Sequence, residues 1–382
     1  MNNKRLILAC GDYLGCCFYR LAMPYRNLAI KYNFNVILTN RLDGSLDPIN
    51  DVLVLQRQHA DGIVAIAEDF INRGGKMIFE LDDFFKNLPP NNVAAKAYPK
   101  GGKELANMDK LMELSHLMTV STQELAKQYS KWAKNIHVCY NKMDFNEFPV
   151  LPKKENDTDV LRLGWAGSGT HLDDLQTVVK VITEIMREFK NVHFVFVGMN
   201  YTNLFEHDVR ARMSHAGHTF PISNGKPLFY SEDGTNPVVE YYKLLQNANI
   251  DIAIAPLLPH VFNKCKSNIK LIEYGVSKIP FVATSFGPYF HYVSGFDVHK
   301  QYTGSNAVGF LAETNSQWKK YLRALIESKE LRNKIAENNY NNILKNHNIE
   351  TGVEQWLRAL ATIDVHPGDE RGSYTENIFK RE

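Results

Sequence analysis

The chain has 382 residues, more than one ordinary domain, so two domains are the first expectation. Hydrophobic residues make up 44% and charged residues 23%, the mix of a globular protein with a real core. Lys and Arg total 44 against 42 for Asp and Glu, a balance that advertises neither a nucleic acid nor a membrane as partner, although it leaves room for a local basic patch.

The five cysteines are Cys10, Cys16, Cys17, Cys139 and Cys265. Their number is odd and no pair has Cys-x-x-Cys spacing, so reduced thiols are expected, not a disulfide framework or a zinc site. The apolar stretch Leu6 to Cys10 is too short for a signal segment. No run approaches the ~20 apolar residues of a membrane span. A soluble, cytoplasmic protein is expected.

In chain order, the first half alternates short apolar runs with helical spacing. Strands are expected at Arg5 to Cys10, Asn35 to Leu38, Asp51 to Leu55, Lys76 to Glu80, Leu117 to Ser121 and Ile136 to Cys139. Helices are expected at Tyr19 to Tyr32, at Ala60 to Arg73 with its Gly74-Gly75 stop, and from Thr122. Residues 149–158 are polar and carry prolines, and read as a linker. The second half repeats the alternation. Its strands are expected at Leu161 to Trp165, Val192 to Gly198, Ile250 to Ala255 and Pro280 to Ala283. Its helices are expected at Leu172 to Glu188, Val238 to Gln246, Ser267 to Val276, Asn315 to Ser328, Glu330 to Lys345 and Thr351 to Ile363. The tail from His366 is polar and expected to be loosely held. This order predicts an α/β chain with parallel sheets covered on both faces.

The sharpest segment runs from Phe262 to Gly275 and contains Lys266-Ser267-Asn268-Ile269-Lys270-Leu271-Ile272-Glu273-Tyr274. It follows a strand and opens a helix that Ser267 or Asn263 can cap. The unbonded N–H groups of the first turn then make a phosphate site. Lys266 and Lys270 are four apart, on one face if the helix includes both. Glu273 shares roughly that face, and a carboxylate there suits two adjacent hydroxyls, such as those of a ribose. The plain alternative is a surface helix with a solvated Lys270–Glu273 pair. Its place at the C-terminal edge of a parallel sheet, where ligands bind, favours the site.

Lys-Ser-x-x-Lys-x-x-Glu-Tyr, followed by Pro280-Phe281-Val282-Ala283, resembles the donor motif of retaining GT-B glycosyltransferases of family four. The resemblance implies Glu273 on the ribose of a nucleoside diphosphate, Ser267, Asn268 and Ile269 near the diphosphate, and Lys266 and Lys270 as phosphate partners. Many family members carry a second glutamate eight residues before the first; here that position is Cys265, a departure that bears on the sugar and not on the nucleotide. Gly164 to Leu175 resembles the loop that covers the donor diphosphate, with Gly167, Ser168, Gly169 and Thr170 as binding residues. Gly11 to Arg20 resembles the glycine loop and Tyr-Arg pair at the start of such enzymes, pointing to Gly15 and Arg20. It is not a dinucleotide fingerprint, because Gly-x-Gly-x-x-Gly is absent.

Glu80-Leu81-Asp82-Asp83 ends a strand, so Asp82 or Asp83 can meet sugar or acceptor hydroxyls; capping a helix is the alternative. Thr119 to Thr122 and Asn141 also end strands. Thirteen histidines form no metal motif, His215 and His218 lacking carboxylate company. His171 and His260 sit beside the donor segments. Lys266, Lys270, Asp82 and His171 are the candidates for the chemistry itself.

The resemblance implies two Rossmann-like domains facing a cleft: an acceptor domain over 1–150, a donor domain over 159–350, and a terminal helix and tail over 351–382 that crosses back. It implies transfer from a nucleoside diphosphate sugar to an acceptor hydroxyl, with retention, no bound cofactor and no metal. The acceptor expected is an envelope glycan or lipid. Similar blocks in phage glycosyltransferases add hydroxymethylated DNA, for which Lys86, Lys96, Lys100 and Lys103 offer a basic loop. A non-catalytic sugar-nucleotide-binding protein on the same fold is the reading from another class.

Overall fold

The computed structural model describes residues 4–11, 14–42, 45–148, 150, 159–217, 222–223, 226–227, 237–294 and 306–377. Asp12, Tyr13, His218, nearly all of the 149–158 linker and the tail beyond 377 lie outside them.

The first half supplies strands β1 (Arg5–Ala9), β2 (Asn35–Thr39), β3 (Asp51–Gln56), β4 (Lys76–Leu81), β5 (Leu117–Val120) and β6 (Ile136–Val138). The second supplies β7 (Leu161–Gly167), β8 (Val192–Gly198), β9 (Met213–His215), the short pair β10 (Ile222–Ser223) and β11 (Lys226–Pro227), β12 (Ile252–Ala255), β13 (Phe281–Thr284) and β14 (Phe310–Ala312). A last strand, β15, covers Ser373–Asn377. Among the described residues β10 and β11 pair antiparallel with each other, and the other strands form two parallel sheets, in the orders β15-β2-β1-β3-β4-β5-β6 and β14-β13-β12-β7-β8-β9. The fold is thus two parallel-sheet α/β domains.

The central strands are buried on both faces, as in β3, where all six residues are buried. Both faces are therefore apolar: Val52 and Val54 join one core cluster, while Leu53 and Leu55 join another. A parallel sheet covered by helices on both sides requires this continuous apolar run.

Several elements differ from expectation. The first helix starts at Gly15 and passes through a π-helical turn at Phe18–Ala22 before Met23–Tyr32. Pro24 sits where the ordinary helix resumes; it has no N–H to donate back to the preceding turn, and the wider turn absorbs the defect. The helix expected over Leu172 to Glu188 is two, Leu172–Gln176 and Val179–Glu188, because Thr177 and Val178 turn back onto the Asp174 and Leu175 carbonyls. The loosely held tail is corrected: Ser373–Asn377 pairs in parallel with all of β2. Before it, the helix Glu354–Ala361 packs on the helix Met23–Tyr32, with Trp356 and Leu360 in the same core as Leu28.

Candidate active site

A cavity of about 440 Å³ lies where the C-terminal ends of strands from both sheets meet. From the first sheet come Gly15 after β1, Arg57 after β3, Asp82 and Asp83 after β4, and Asn141 after β6. From the second come Gly167 at the end of β7 and the segment after β12. In parallel sheets the strand ends and helix starts collect on one edge, so residues distant in sequence converge there.

The helix after β12 spans Ile269–Val276, two residues later than expected. Neither expected cap serves. The N-cap is Asn268, without a side-chain bond to the helix. Asn263 Nδ2 donates instead to Asp174 Oδ1 at 2.8 Å, and Ser267 Oγ accepts from Asn141 Nδ2 at 2.9 Å. Lys266 lies outside the helix, at the C-cap of Val261–Cys265, so it does not share a helical face with Lys270. The first turn keeps its exposed donors: among the described residues no acceptor meets the N–H groups of Ser267 through Lys270.

Lys270 is buried, its ammonium donating to the Ala166 carbonyl and lying 5.2 Å from the centre of the Trp165 ring. Burial pulls it from its ordinary 10.5 to about 8, opposed by Glu273. Lys266 lies 5.0 Å over the Phe262 ring. Glu273, also buried, accepts from Tyr19 Oη at 3.0 Å and Tyr241 Oη at 3.4 Å; burial raises its carboxyl against the pull of Lys270.

His171 Nδ1 is 2.7 Å from Asp174 Oδ2. Burial and the Lys266 charge push the imidazole down to about 3, so the ring is neutral at pH 7. The Asp174 carboxyl is held low, His171 and the Leu258 N–H outweighing its burial. The ionised Asp174 accepts a hydrogen bond from Nδ1–H, which leaves His171 Nε2 an acceptor suited to a hydroxyl and not to a phosphate. Ser168 and Thr170 are bonded to each other at 2.9 Å on the cavity wall. A side chain at Gly167 would overlap the Trp165 ring and crowd Lys270, whereas one at Gly15 would meet nothing within 4 Å.

Asp82 Oδ1 is 3.8 Å from Arg57 Nε. Burial and the neighbouring Asp82 lift the Asp83 carboxyl to about 6. Neither aspartate caps a helix; their carbonyls accept from Ser121 and Tyr129.

Gly15, Arg20, Asp82, Gly167, Ser168, Thr170, His171, Lys266, Ser267, Ile269, Lys270 and Glu273 are thus brought to one cavity; Gly169 and Asn268 are not among its lining residues. Arg20, expected among the binding residues, is 1% exposed and its guanidinium is taken by Glu80, the Cys139 carbonyl and Asn141. His260 caps the helix Val261–Cys265 through Nδ1. His215 contacts the Gly198 carbonyl at 2.8 Å. Cys265 is fully buried against the first domain and its thiol is pushed up to about 12. Sequence reasoning passed over Arg57, Tyr241 and Tyr289, which line the cavity. Arg57 follows β3 as Asp82 follows β4, so the strand-end rule pointed to it; nothing in the sequence around Tyr241 or Tyr289 did.

No family model matches the chain, and no curated protein sequence matches it. Solved structures do. Sucrose-phosphate synthase from Thermosynechococcus elongatus aligns with a TM-score of 0.61 and 10% identity, over 94% of this chain and 99% of that one. Anabaena Alr3699/HepE in complex with UDP aligns with a TM-score of 0.59 and 14% identity, over 94% and 100%. A glycosyltransferase from Rickettsia africae aligns with a TM-score of 0.57 and 12% identity, over 95% and 100%. The class defined is the GT-B fold of glycosyltransferases. The solved structures named here share that fold with this chain, and one of them holds UDP.

Proposed function

We propose that this protein is a glycosyltransferase that moves a sugar from a nucleoside diphosphate sugar, such as a UDP-sugar, to an acceptor hydroxyl. The observation that carries the reading is the start of the helix Ile269–Val276: open N–H donors, Lys266 and Lys270 beside them, and buried Glu273 one turn on, all at one interdomain cavity. Open N–H groups and ammonium groups favour an anion there. The residue order along the helix matches a diphosphate next to a ribose, whose hydroxyls replace the Tyr19 hydroxyl on Glu273.

In the transfer, the bond from the sugar's anomeric carbon to the diphosphate oxygen breaks and one to the acceptor oxygen forms. Lys266, Lys270 and the helix N–H groups stabilise the charge that develops on the leaving diphosphate. The acceptor proton passes to the departing phosphate oxygen, consistent with the resemblance and with retention. His171 Nε2 receives a sugar hydroxyl. Asp82 and Asp83 face the acceptor from the first domain. Among the described residues no group of three or more His, Cys, Asp and Glu side chains is arranged to hold a metal ion. We take the domains to be 1–150 and 159–350, with 351–382 crossing back.

Of the lysines that a DNA backbone would need, Lys86 pairs with Asp109 and donates to the Leu105 carbonyl, and Lys103 pairs with Asp61. Only Lys86 is held within the fold, while Lys96, Lys100 and Lys103 stay at the surface; the acceptor proposed is a glycan or lipid hydroxyl because the chain as a whole is nearly neutral, +2. No helix among the described residues is long and apolar enough to cross a membrane.

A panel of nucleotide sugars and acceptors read by mass spectrometry, with and without EDTA, tests the reading. The expected result is an acceptor gaining one sugar mass, undiminished by EDTA. Glu273→Ala should weaken UDP binding by roughly 1.5–3 kcal/mol, the scale of hydrogen bonds to a charged group. Binding of UDP-sugars without transfer or hydrolysis would favour a non-catalytic binding protein.

A further inference from the structure

The transfer proposed above gives no task to Arg20, yet its side chain joins four separate stretches of chain. Nε and Nη2 reach the two oxygens of Glu80, at 2.7 and 3.3 Å. Nη1 donates to the Cys139 carbonyl and, at 2.9 Å, to Asn141 Oδ1. The Trp356 ring lies beneath the guanidinium, its centre 5.5 Å away. Thr119 fixes Glu80 from the other side. Because Oδ1 of Asn141 accepts from Arg20, the amide can be oriented in only one way, with its NH2 toward Ser267 Oγ. Ser267 belongs to the segment that lines the cavity and whose N–H groups meet no acceptor among the described residues. Other contacts join the first domain to this stretch: Thr122 Oγ1 donates to the Cys265 carbonyl at 2.8 Å, Lys264 pairs with Glu124 at 3.4 Å, and Tyr19, beside Arg20 in sequence, donates to Glu273 at 3.0 Å.

We propose that Arg20 is a positioning residue that acts through Asn141: the guanidinium locks the Asn141 amide, and the amide holds Ser267 and the start of the helix Ile269–Val276 against the first domain. The Trp356 contact ties the C-terminal helix into the same unit. Arginine suits this place because a planar fork can grip a carboxylate and still donate to two further oxygens. A lysine brings the same charge on one nitrogen with three donors, and cannot reproduce the fork that meets both Glu80 oxygens, the Cys139 carbonyl and Asn141 at once.

Hydrogen exchange of the nucleotide-free protein tests this directly, comparing Arg20→Lys, Asn141→Ala and the double variant with the parent. The Leu271 and Ile272 amides, both bonded to the Asn268 carbonyl, report on the helix start. Each single variant should speed their exchange by roughly two- to tenfold, the scale of one lost hydrogen bond, and the double should be no faster than the worse single. Strands β4 and β5 should keep their protection. Exchange that rises in β4 and β5 but not at Leu271 and Ile272, no change anywhere, or effects that multiply in the double would overturn the proposal. Should Arg20→Lys fail to fold, Glu80→Gln replaces it with the same expectation, since it keeps the shape and removes the charge that seats the guanidinium. UDP titration of the same proteins rests on the donor reading and is judged separately. Failure of the parent to bind UDP counts against that reading, while the exchange pattern still decides the role of Arg20.

Discussion

At Lys270 two opposing effects meet. Desolvation favours the neutral amine, whereas Glu273 favours the ammonium, and desolvation prevails, leaving the group at about 8. The unfolded chain holds that proton up to the ordinary 10.5, so burying the charge costs stability below about 8. The cost is relieved as pH rises from there toward 10.5. On the donor reading proposed above, nucleotide affinity carries the opposite sign, because the ammonium is the form that attracts a diphosphate. UDP affinity is therefore expected to decline above about pH 8, by up to about tenfold per pH unit for one proton. Lys270→Met should be weaker throughout and lack this limb, whereas Lys270→Arg should stay flat through it. Calorimetric titrations across pH 6.5–9.5 check this; a limb that persists in Lys270→Met would assign the titration elsewhere.

The helix Ile269–Val276 is held from behind as well as from the cavity. Tyr274 Oη donates to the Ile254 carbonyl at 3.1 Å and accepts from the Ala166 N–H at 3.1 Å, bolting the helix to β12 and β7. Gly275 lies against the helix Lys329–Asn346, and a Cβ there would overlap Ile343 and Asn339. Gly275→Ala is expected to lose about 1–3 kcal/mol, the usual cost of overpacking a filled contact. Denaturant unfolding measures it, and an unchanged midpoint would mean that the two helices part freely. This helix was legible in outline from its apolar spacing. Its true first residue was not, because Asn263 and Ser267 took partners in other elements instead of capping it.

For the molecule as a whole, the C-terminal segment meets elements from the start of the chain. Lys31 Nζ meets the Glu350 carbonyl at 2.8 Å, the Trp356 ring centre lies 5.5 Å from the Arg20 guanidinium, and Ser373–Asn377 pairs along β2. An edge strand offers unpaired backbone groups to another chain, and β15 puts the polar Ser373–Asn377 at that edge in place of the more apolar β2. Truncation after Gly372 should therefore leave a folded protein that self-associates with rising concentration. Light scattering checks this; a truncated chain that stays as monodisperse as the full one would show that β15 has no protective role.

The alternation of strands and helices, the apolar centre of each sheet and the run from Lys266 to Glu273 were all readable from the residues in order. Local periodicity and strand-end position need only neighbours in the chain. Strand β15 was not readable: Ser373-Tyr374-Thr375-Glu376-Asn377 has no apolar pattern, since an edge strand is held largely by backbone hydrogen bonds that any sequence can make. Nor was the fate of Arg20, whose partners Glu80 and Asn141 stand 60 and 121 residues away, or the tie between Tyr19 and Glu273, 254 residues apart. The Arg20 pairings exist only once the first sheet has gathered its strand ends, and the Tyr19–Glu273 tie only once the two sheets meet at one cavity. The amino-acid order determined which chemical groups stand at the ends of strands; the tertiary structure decided which of them remain open to a ligand and which are spent on one another.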